Sequence, residues 1–155
     1  MKKTILTIAM VLGVFVAKSQ TKTTTNAKTK IGNLTEVSYK EFIQLDKGDT
    51  TRYVYLGFRN EEYTYLSDYA GIYIWNPESE KENLTEFITD LQTIIDNLGS
   101  TMFNEKKHYR IHISEKLPRL IFIGCGSGDS KRGAYTTITK KNAEELITWL
   151  QTTQF

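Results

Sequence analysis

The sequence predicts an α+β protein, a mainly antiparallel sheet built from two βββα-like units with helices packed on one side, plus a short N-terminal helix. Several short runs alternate apolar and polar residues, as half-buried strands do. Two longer runs repeat apolar residues at spacings of three and four, as amphipathic helices do. The predicted order is helix, three strands, helix, three strands, helix, which is typical of one antiparallel sheet system covered by helices.

The first predicted element is the short helix over 38–48. The pattern SYKE at 38–41 is a capping box, in which the first and last side chains satisfy backbone amides at a helix start. An apolar run follows it, and Gly48 can end a helix. The sequence therefore predicts a short helix here.

Three strands are predicted next, over 52–60, 63–66 and 71–75. The first, RYVYLGFRN, alternates cleanly between aromatic or charged residues and aliphatic ones. The third, GIYIW, ends at an Asn-Pro pair, which is typical of a turn. These strands complete the first predicted unit together with the helix that follows.

The central helix has the clearest pattern of the chain. The segment SEKE at 79–82 is a second capping box, and Gly99 is placed to close the helix in the left-handed conformation. The spacing between them puts the apolar side chains on one stripe. Its members are Leu84, Phe87, Ile88, Leu91, Ile94, Ile95 and Leu98.

The second unit repeats this order. Strands are predicted over 108–114, 119–124 and 134–138 from the same alternation. Thr139 is a suitable N-cap for a final helix because its hydroxyl can accept from a free backbone amide. The apolar stripe of that helix consists of Ala143, Leu146, Ile147 and Leu150.

The first nineteen residues have the three regions of a secretory signal peptide. Two lysines precede an apolar run over 5–17, and Ala17-Lys18-Ser19 offers small residues where a signal peptidase cleaves. The run is shorter than the roughly 20 residues that a membrane-spanning helix needs. We expect cleavage near Ser19-Gln20, a mature chain without a membrane span, and a periplasmic or secreted protein.

Composition divides the remainder into a tether and a domain. Residues 20–33 are rich in threonine and lysine with little to bury, which predicts a disordered tether. Residues 34–155 have the length of a single α+β domain. This domain carries fourteen basic against eighteen acidic residues, a net charge of −4. Because nucleic-acid binders need a basic footprint, we expect no nucleic acid among the partners.

Four aromatic side chains form the candidate binding site. Tyr53 and Tyr55 face one way on their strand, and Tyr73 and Trp75 do so on the third strand. The aliphatic residues between them suit the helix, so the aromatic set should cover the opposite sheet face. Flat rings with polar tips suit a sugar ring or a protein partner. The competing interpretation is structural, since such rings also stack across neighbouring strands.

Cys125 is the one cysteine, so the chain has no intramolecular disulfide. A catalytic thiol would need a base or a positive environment, for which His108, His112, Lys131 and Arg132 are the candidates. A buried, inert thiol is the more common role. The two histidines lie about 13 Å apart along one strand, too far to share a metal ion, and the sequence predicts neither a metal nor a cofactor.

Three functional hypotheses follow from these patterns. The first is an exported, non-enzymatic binding domain whose aromatic sheet face engages a protein or glycan in the envelope or the extracellular space. The second is a small inhibitor or immunity-type protein that blocks an enzyme. The third is a thiol-dependent enzyme centred on Cys125. The sequence favours a binding protein over an enzyme.

Overall fold

The computed structural model describes residues 21–45, 47–63, 68–74, 80–126 and 133–153. Over these ranges the chain forms two four-stranded antiparallel sheets, each followed by one helix. In both sheets the strands lie side by side in the order of the sequence. The α+β class is therefore confirmed, and each unit has four strands where the sequence predicted three.

The first sheet consists of β1 (Thr21–Ile31), β2 (Leu34–Gln44), β3 (Asp49–Arg59) and β4 (Tyr69–Tyr73), and α1 (Glu80–Asp96) follows it. The second sheet consists of β5 (Met102–Glu105), β6 (Tyr109–Ser114), β7 (Leu117–Cys125) and β8 (Tyr135–Thr139), and α2 (Lys140–Thr152) follows it. The predicted strands over 52–60, 71–75, 108–114, 119–124 and 134–138 correspond to β3, β4, β6, β7 and β8. The predicted strand over 63–66 falls largely outside the described residues.

The predicted N-terminal helix is a strand in the structure. Residues 34–44 form β2, which pairs with β1 on one side and with β3 on the other. Val37 and Tyr39 point into the core, whereas Lys40 lies on the opposite side. Two ladders of backbone hydrogen bonds and this alternation outweigh the capping-box pattern, whose four residues fit a strand equally well.

The predicted tether over 20–33 is also corrected, because β1 occupies most of it. Threonine favours strands, and pairing with β2 satisfies the backbone without any need for apolar side chains. Lysines along an edge strand discourage pairing with other chains. Since β1 belongs to the folded part, the charge over 20–155 is seventeen basic against eighteen acidic residues, a net −1 rather than −4.

The predicted signal peptide lies outside the described residues. Within the described ranges, the helices are too short or too polar to cross a bilayer.

The predicted central and final helices are both present. Gly99 has φ 101°, the left-handed conformation that favours glycine after a helix. Thr139 caps α2, since its Oγ1 accepts from the backbone N–H of Asn142 at 3.3 Å. The predicted apolar stripe of α2 is buried in full.

One apolar core joins both units. It takes residues from both sheets and from both helices. Helix α1 packs against β3 of its own unit and β6 of the other, whereas α2 packs against β1, β7 and β8. Because each helix contacts both sheets, neither unit buries its apolar face alone. The largest fully buried side chains include Leu34, Leu56, Phe58, Ile72, Phe87, Leu91, Ile94, Ile111 and Ile121.

Asn60 and Glu61 connect the two sheets just beyond β3. Asn60 is buried, and its Oδ1 accepts from the backbone N–H groups of Glu62 and Tyr135, each at 3.1 Å. The N–H of Glu61 donates to the carbonyl of Tyr135 at 2.8 Å. The chain leaving the first sheet thus pairs briefly with β8, the outer strand of the second.

The Glu61 carboxylate extends this connection. Its Oε1 accepts from Thr136 Oγ1 at 2.7 Å and from the N–H of Thr137 at 3.1 Å. Its Oε2 accepts from Thr137 Oγ1 at 2.9 Å, and Asn33 Nδ2 donates to Oε1 at 3.2 Å. One carboxylate therefore holds β8 and the turn between β1 and β2. We call these hydrogen bonds of Asn60 and Glu61 the sheet junction.

Replacing Glu61 with alanine should destabilise the whole domain. The change leaves several donors of β8 without an acceptor, and we expect a loss of about 2 kcal/mol in the free energy of unfolding. Urea denaturation followed by circular dichroism measures it. Glu145→Ala, at an exposed position of α2, is the matched control and should cost well under half as much. Equal losses in the two variants would contradict a special role for Glu61.

Candidate functional site

Tyr53, Tyr55 and Tyr73 lie together on the outer face of the first sheet. The ring centroids of Tyr53 and Tyr73 are 5.2 Å apart, with an angle of 67° between the planes. Those of Tyr55 and Tyr73 are 5.3 Å apart, at 49°. The structure thus brings three of the four predicted site residues together as a tyrosine cluster. The fourth, Trp75, lies outside the described residues.

Strand alternation places the tyrosine cluster. Along β3, Val54, Leu56 and Phe58 are fully buried in the core, so the residues between them face outward. Tyr55 pairs directly with Tyr73 of β4, which sets the two rings side by side. The strand register that directs the aliphatic residues into the core therefore also places the tyrosine cluster on the outer face.

Two glycines make room for the ring of Tyr55. Gly57 and Gly71 pair with each other across β3 and β4. A Cβ at Gly71 would lie 2.2 Å from Tyr55 Cε2, and one at Gly57 would lie 2.9 Å from Cε1. Real Cβ atoms do not approach a ring so closely, so the ring lies flat over bare backbone. This packing fixes the orientation of Tyr55.

Gly71→Ala should displace the Tyr55 ring and cost about 2 kcal/mol of stability, because the new methyl group overlaps it. Urea denaturation measures the loss, and near-ultraviolet circular dichroism should report the altered tyrosine packing. In a Tyr55→Ala background the same substitution meets no ring and should cost much less. An equal cost in both backgrounds would show that the ring is not the cause.

A charged group borders the tyrosine cluster. Glu36 Oε1 accepts from Lys40 Nζ at 2.8 Å and from Ser38 Oγ at 2.7 Å, and Lys28 Nζ lies 3.4 Å from Glu36 Oε2. Hydrogen bonds from Lys40 and then Ser38 lower the pKa of Glu36 to about 2, so the carboxylate stays ionised at neutral pH. The Lys40 ammonium also lies 4.3 Å from the ring centroid of Tyr55, a cation–π distance.

Two tyrosines of β4 are exposed on this face. Tyr73 exposes 49 % of its surface, and Tyr69, on the same side of β4, exposes 60 %. Tyr53 and Tyr55 are half-buried. Burial, then the neighbouring Tyr73 and Glu36, raises the pKa of Tyr55, so its hydroxyl remains protonated and available as a donor. The face offers apolar rings, hydroxyl groups and ammonium groups to a ligand.

Cys125 lies in the core beside Gly71, the glycine under the Tyr55 ring, and on the opposite side of its sheet from His112. Its thiol is buried and points to the carbonyl oxygen of Gly71 at 3.7 Å. It belongs to the apolar core, on the inner side of the second sheet, whereas His112 lies on the outer side among exposed rings. The structure does not bring this thiol and imidazole together. Lys131 and Arg132 lie outside the described residues.

A second aromatic row, not predicted from the sequence, crosses the outer face of the second sheet. His112 stacks on Phe122 with centroids 4.7 Å apart and planes at 16°. Phe103 lies 5.6 Å from His112, and Tyr135 lies 5.6 Å from Phe122. The row spans all four strands and ends at Phe103, which exposes 62 % of its surface. Alternation within β6 and β7 indicates which residues face outward, but the row depends on pairing with the unpredicted β5.

His112 and its neighbour Arg110 carry polar atoms without a hydrogen bond. Arg110 Nη2 donates to the carbonyl of Gly133 at 3.1 Å, while Arg110 Nε and His112 Nδ1 are buried and unpartnered. Burial, and secondarily the charge of Arg110, lowers the pKa of His112. The imidazole is therefore neutral at pH 7. Within the described ranges, no three potential ligand side chains gather as a metal site would require.

Acidification should destabilise the domain through His112. Because its pKa is lower in the fold than in the unfolded chain, the unfolded state binds more protons just below the ordinary histidine pKa of about 6.5. Above that pH the neutral imidazole contributes fully to the free energy of unfolding. This contribution is lost as the pH falls through the pKa that His112 has in the folded state. His112→Asn should therefore lose less stability between pH 7 and pH 5 than the wild type.

Urea midpoints at pH 7, 6 and 5 measure this difference. His108→Asn, which removes the histidine outside the aromatic row, is the matched control, and its decline is compared with that of His112→Asn. The lowered pKa of Glu36 acts only below its ordinary value, so it does not interfere in this pH range. A decline in His112→Asn equal to that of the wild type would contradict the assignment.

Comparison of the chain with protein-family models, with curated proteins and with solved structures finds no match. Function must therefore be argued from the surfaces described above.

Proposed function

We propose that this chain is an exported, non-enzymatic binding domain and that the tyrosine cluster is its binding surface. One observation carries the proposal: three tyrosine rings lie together on a sheet face, one of them held flat over a glycine pair. Rings fixed before binding lose little rotational freedom when a ligand arrives. The exposed rings of Tyr69 and Tyr73 provide the first contact area.

The chemistry of this face supports binding over catalysis. Its carboxylate, Glu36, is ionised and engaged by Lys28, Lys40 and Ser38, whereas a general acid would need a raised pKa. The thiol of Cys125 is buried in the core, and its sheet places His112 on the opposite face. The tyrosine hydroxyls and the ammonium groups suit hydrogen bonds to a ligand that does not react.

The partner is a protein or a glycan of the envelope or the extracellular space. The signal sequence supports this location, because it directs the mature chain out of the cytoplasm. Tyrosine suits both kinds of partner because a rigid amphipathic ring contributes contact area and a hydroxyl group at low entropic cost.

Tyr73→Ala should abolish or greatly weaken partner binding while leaving the fold intact. Tyr73 contacts both other rings of the cluster and is itself half exposed, so its loss removes contact area that the core does not use. We expect affinity to fall at least about tenfold, as for a binding hot spot. Biolayer interferometry against a glycan panel and against purified envelope proteins identifies the partner and measures the change.

Phe103→Ala is the matched control, because it removes an exposed ring from the outer face of the other sheet. It should bind the partner as the wild type does. Circular dichroism and urea denaturation of both variants exclude unfolding as the cause. If Tyr73→Ala bound normally and Phe103→Ala did not, the second aromatic row would be the binding surface and the proposal would be wrong.

A further inference from the structure

We infer that the ligand of the tyrosine cluster is an acidic glycan, a polysaccharide that carries carboxylate or sulfate groups. This inference rests on the proposed function and adds the chemical class of the ligand. It starts from β1, which belongs to the folded domain and has two lysines on the same sheet face as the tyrosines.

Strand pairing places two lysines of β1 on the tyrosine face. Lys28 pairs with Ser38 of β2 and its ammonium group reaches Glu36, whose Cβ borders Gly57 under the Tyr55 ring. Lys30 follows two residues later, so it lies on the same side of the strand, and it is exposed. The positive charge of β1 therefore borders the rings.

This outer face carries more positive than negative charge. Lys28 and Lys40 share the one carboxylate of Glu36, so these three groups keep one net positive charge. By alternation along the strands, the charged residues of the face are Lys28, Lys30, Lys40 and Arg59 against Glu36 and Asp49. The face thus has a net charge of +2, whereas the chain over 20–155 has −1.

The difference in net charge between this face and residues 20–155 favours a negatively charged ligand. A surface that is positive on a slightly acidic protein attracts an anion to that place and leaves the remaining surface unattractive to it. Glu36 neutralises part of the charge of Lys28 and Lys40, so the face does not present a dense patch of uncompensated cations. A moderate positive charge of this kind suits a polymer with about one negative group per unit.

The exposed tyrosine rings favour a polysaccharide over other anionic polymers. Tyr69 and Tyr73 stand four residues apart on β4, about 13 Å, so a ligand that contacts both is longer than one monosaccharide. Aromatic rings stack against the C–H faces of sugars, and the hydroxyls of tyrosine can bond to sugar hydroxyls. An extended acidic peptide is recognised mainly by backbone hydrogen bonds at a sheet edge, whereas these rings lie on the sheet face.

A nucleic acid would also combine negative charge with flat rings. Its closely spaced phosphates call for a strongly basic surface, whereas residues 20–155 have a net charge of −1. The proposed export also separates the protein from cytoplasmic nucleic acids. The observations therefore favour the glycan, and an oligonucleotide serves as a competing probe.

Titration of the mature chain with two matched pairs of polymers tests the inference. The pairs are polygalacturonate with its methyl ester, and dextran sulfate with dextran. Isothermal titration calorimetry at low salt should show binding to at least one charged member, clearly weaker binding to its neutral partner, and loss of affinity in 0.5 M NaCl. Poly-L-glutamate and oligothymidylate should bind more weakly than that glycan.

Two variants separate the contributions of rings and charge. Tyr73→Ala should weaken glycan binding at least about fivefold through lost stacking. Lys30→Glu should weaken it as well and should flatten the salt dependence. Lys141→Glu, an exposed charge reversal at the start of α2, is the control and should bind as the wild type does. Far-ultraviolet circular dichroism confirms that each variant is folded.

The inference is overturned if neither charged glycan binds, if the neutral members bind equally well, or if poly-L-glutamate or oligothymidylate binds as tightly as the glycan. If Lys141→Glu weakened binding as much as Lys30→Glu, charge at this face would not be the cause. A protein partner that binds in a Tyr73-dependent manner, without glycan binding, would refute the glycan and leave the proposed function standing. Tyr73-independent binding of every partner would refute both.

Discussion

The sheet junction is the constraint on which the rest of the structure depends. Two antiparallel sheets with separate hydrogen-bond ladders must share one core, and a cluster of hydrogen bonds links them where Asn60 and Glu61 meet β8. Without these bonds, buried backbone groups between the two sheets would have no hydrogen-bond partner. An unsatisfied buried group costs more free energy than a hydrogen bond contributes when it forms. Asn60 and Glu61 satisfy them with two neighbouring side chains. The apolar core can then close across both sheets.

The position of the tyrosine cluster depends on the sheet junction. Strand β3 runs directly into the sheet junction, so its register is fixed at that end, and a slip of one residue would turn the tyrosines inward and the aliphatic residues outward. The paired Gly57 and Gly71 then leave a bare strip of backbone on which Tyr55 lies. The candidate site is therefore a surface whose geometry is set by the core beneath it, as a preorganised binding face requires.

The sequence predicted the elements whose apolar side chains alternate or repeat at a regular spacing. It did not predict the strands that are defined by backbone pairing alone. Helices α1 and α2 and strands β3, β6 and β8 have clear apolar patterns, and three outward tyrosines were predicted from the same alternation. Strand β1 has almost no apolar residues, so its pairing with β2 leaves no pattern to detect. The row from Phe103 to Tyr135 depends on register between four strands, and local sequence does not encode that register.

The packing of α2 against β1 joins the last described element to the first. The side chain of Asn142 lies so close to Gly32, in the turn after β1, that a Cβ there would be 2.6 Å from its Oδ1. Contacts between residues that are far apart in the sequence form slowly, because a long loop must close before such contacts stabilise the fold. The pairing of β1 with β2 is local in sequence, whereas the contact between their turn and α2 is long-range, so we expect the turn to be completed after the strands have paired.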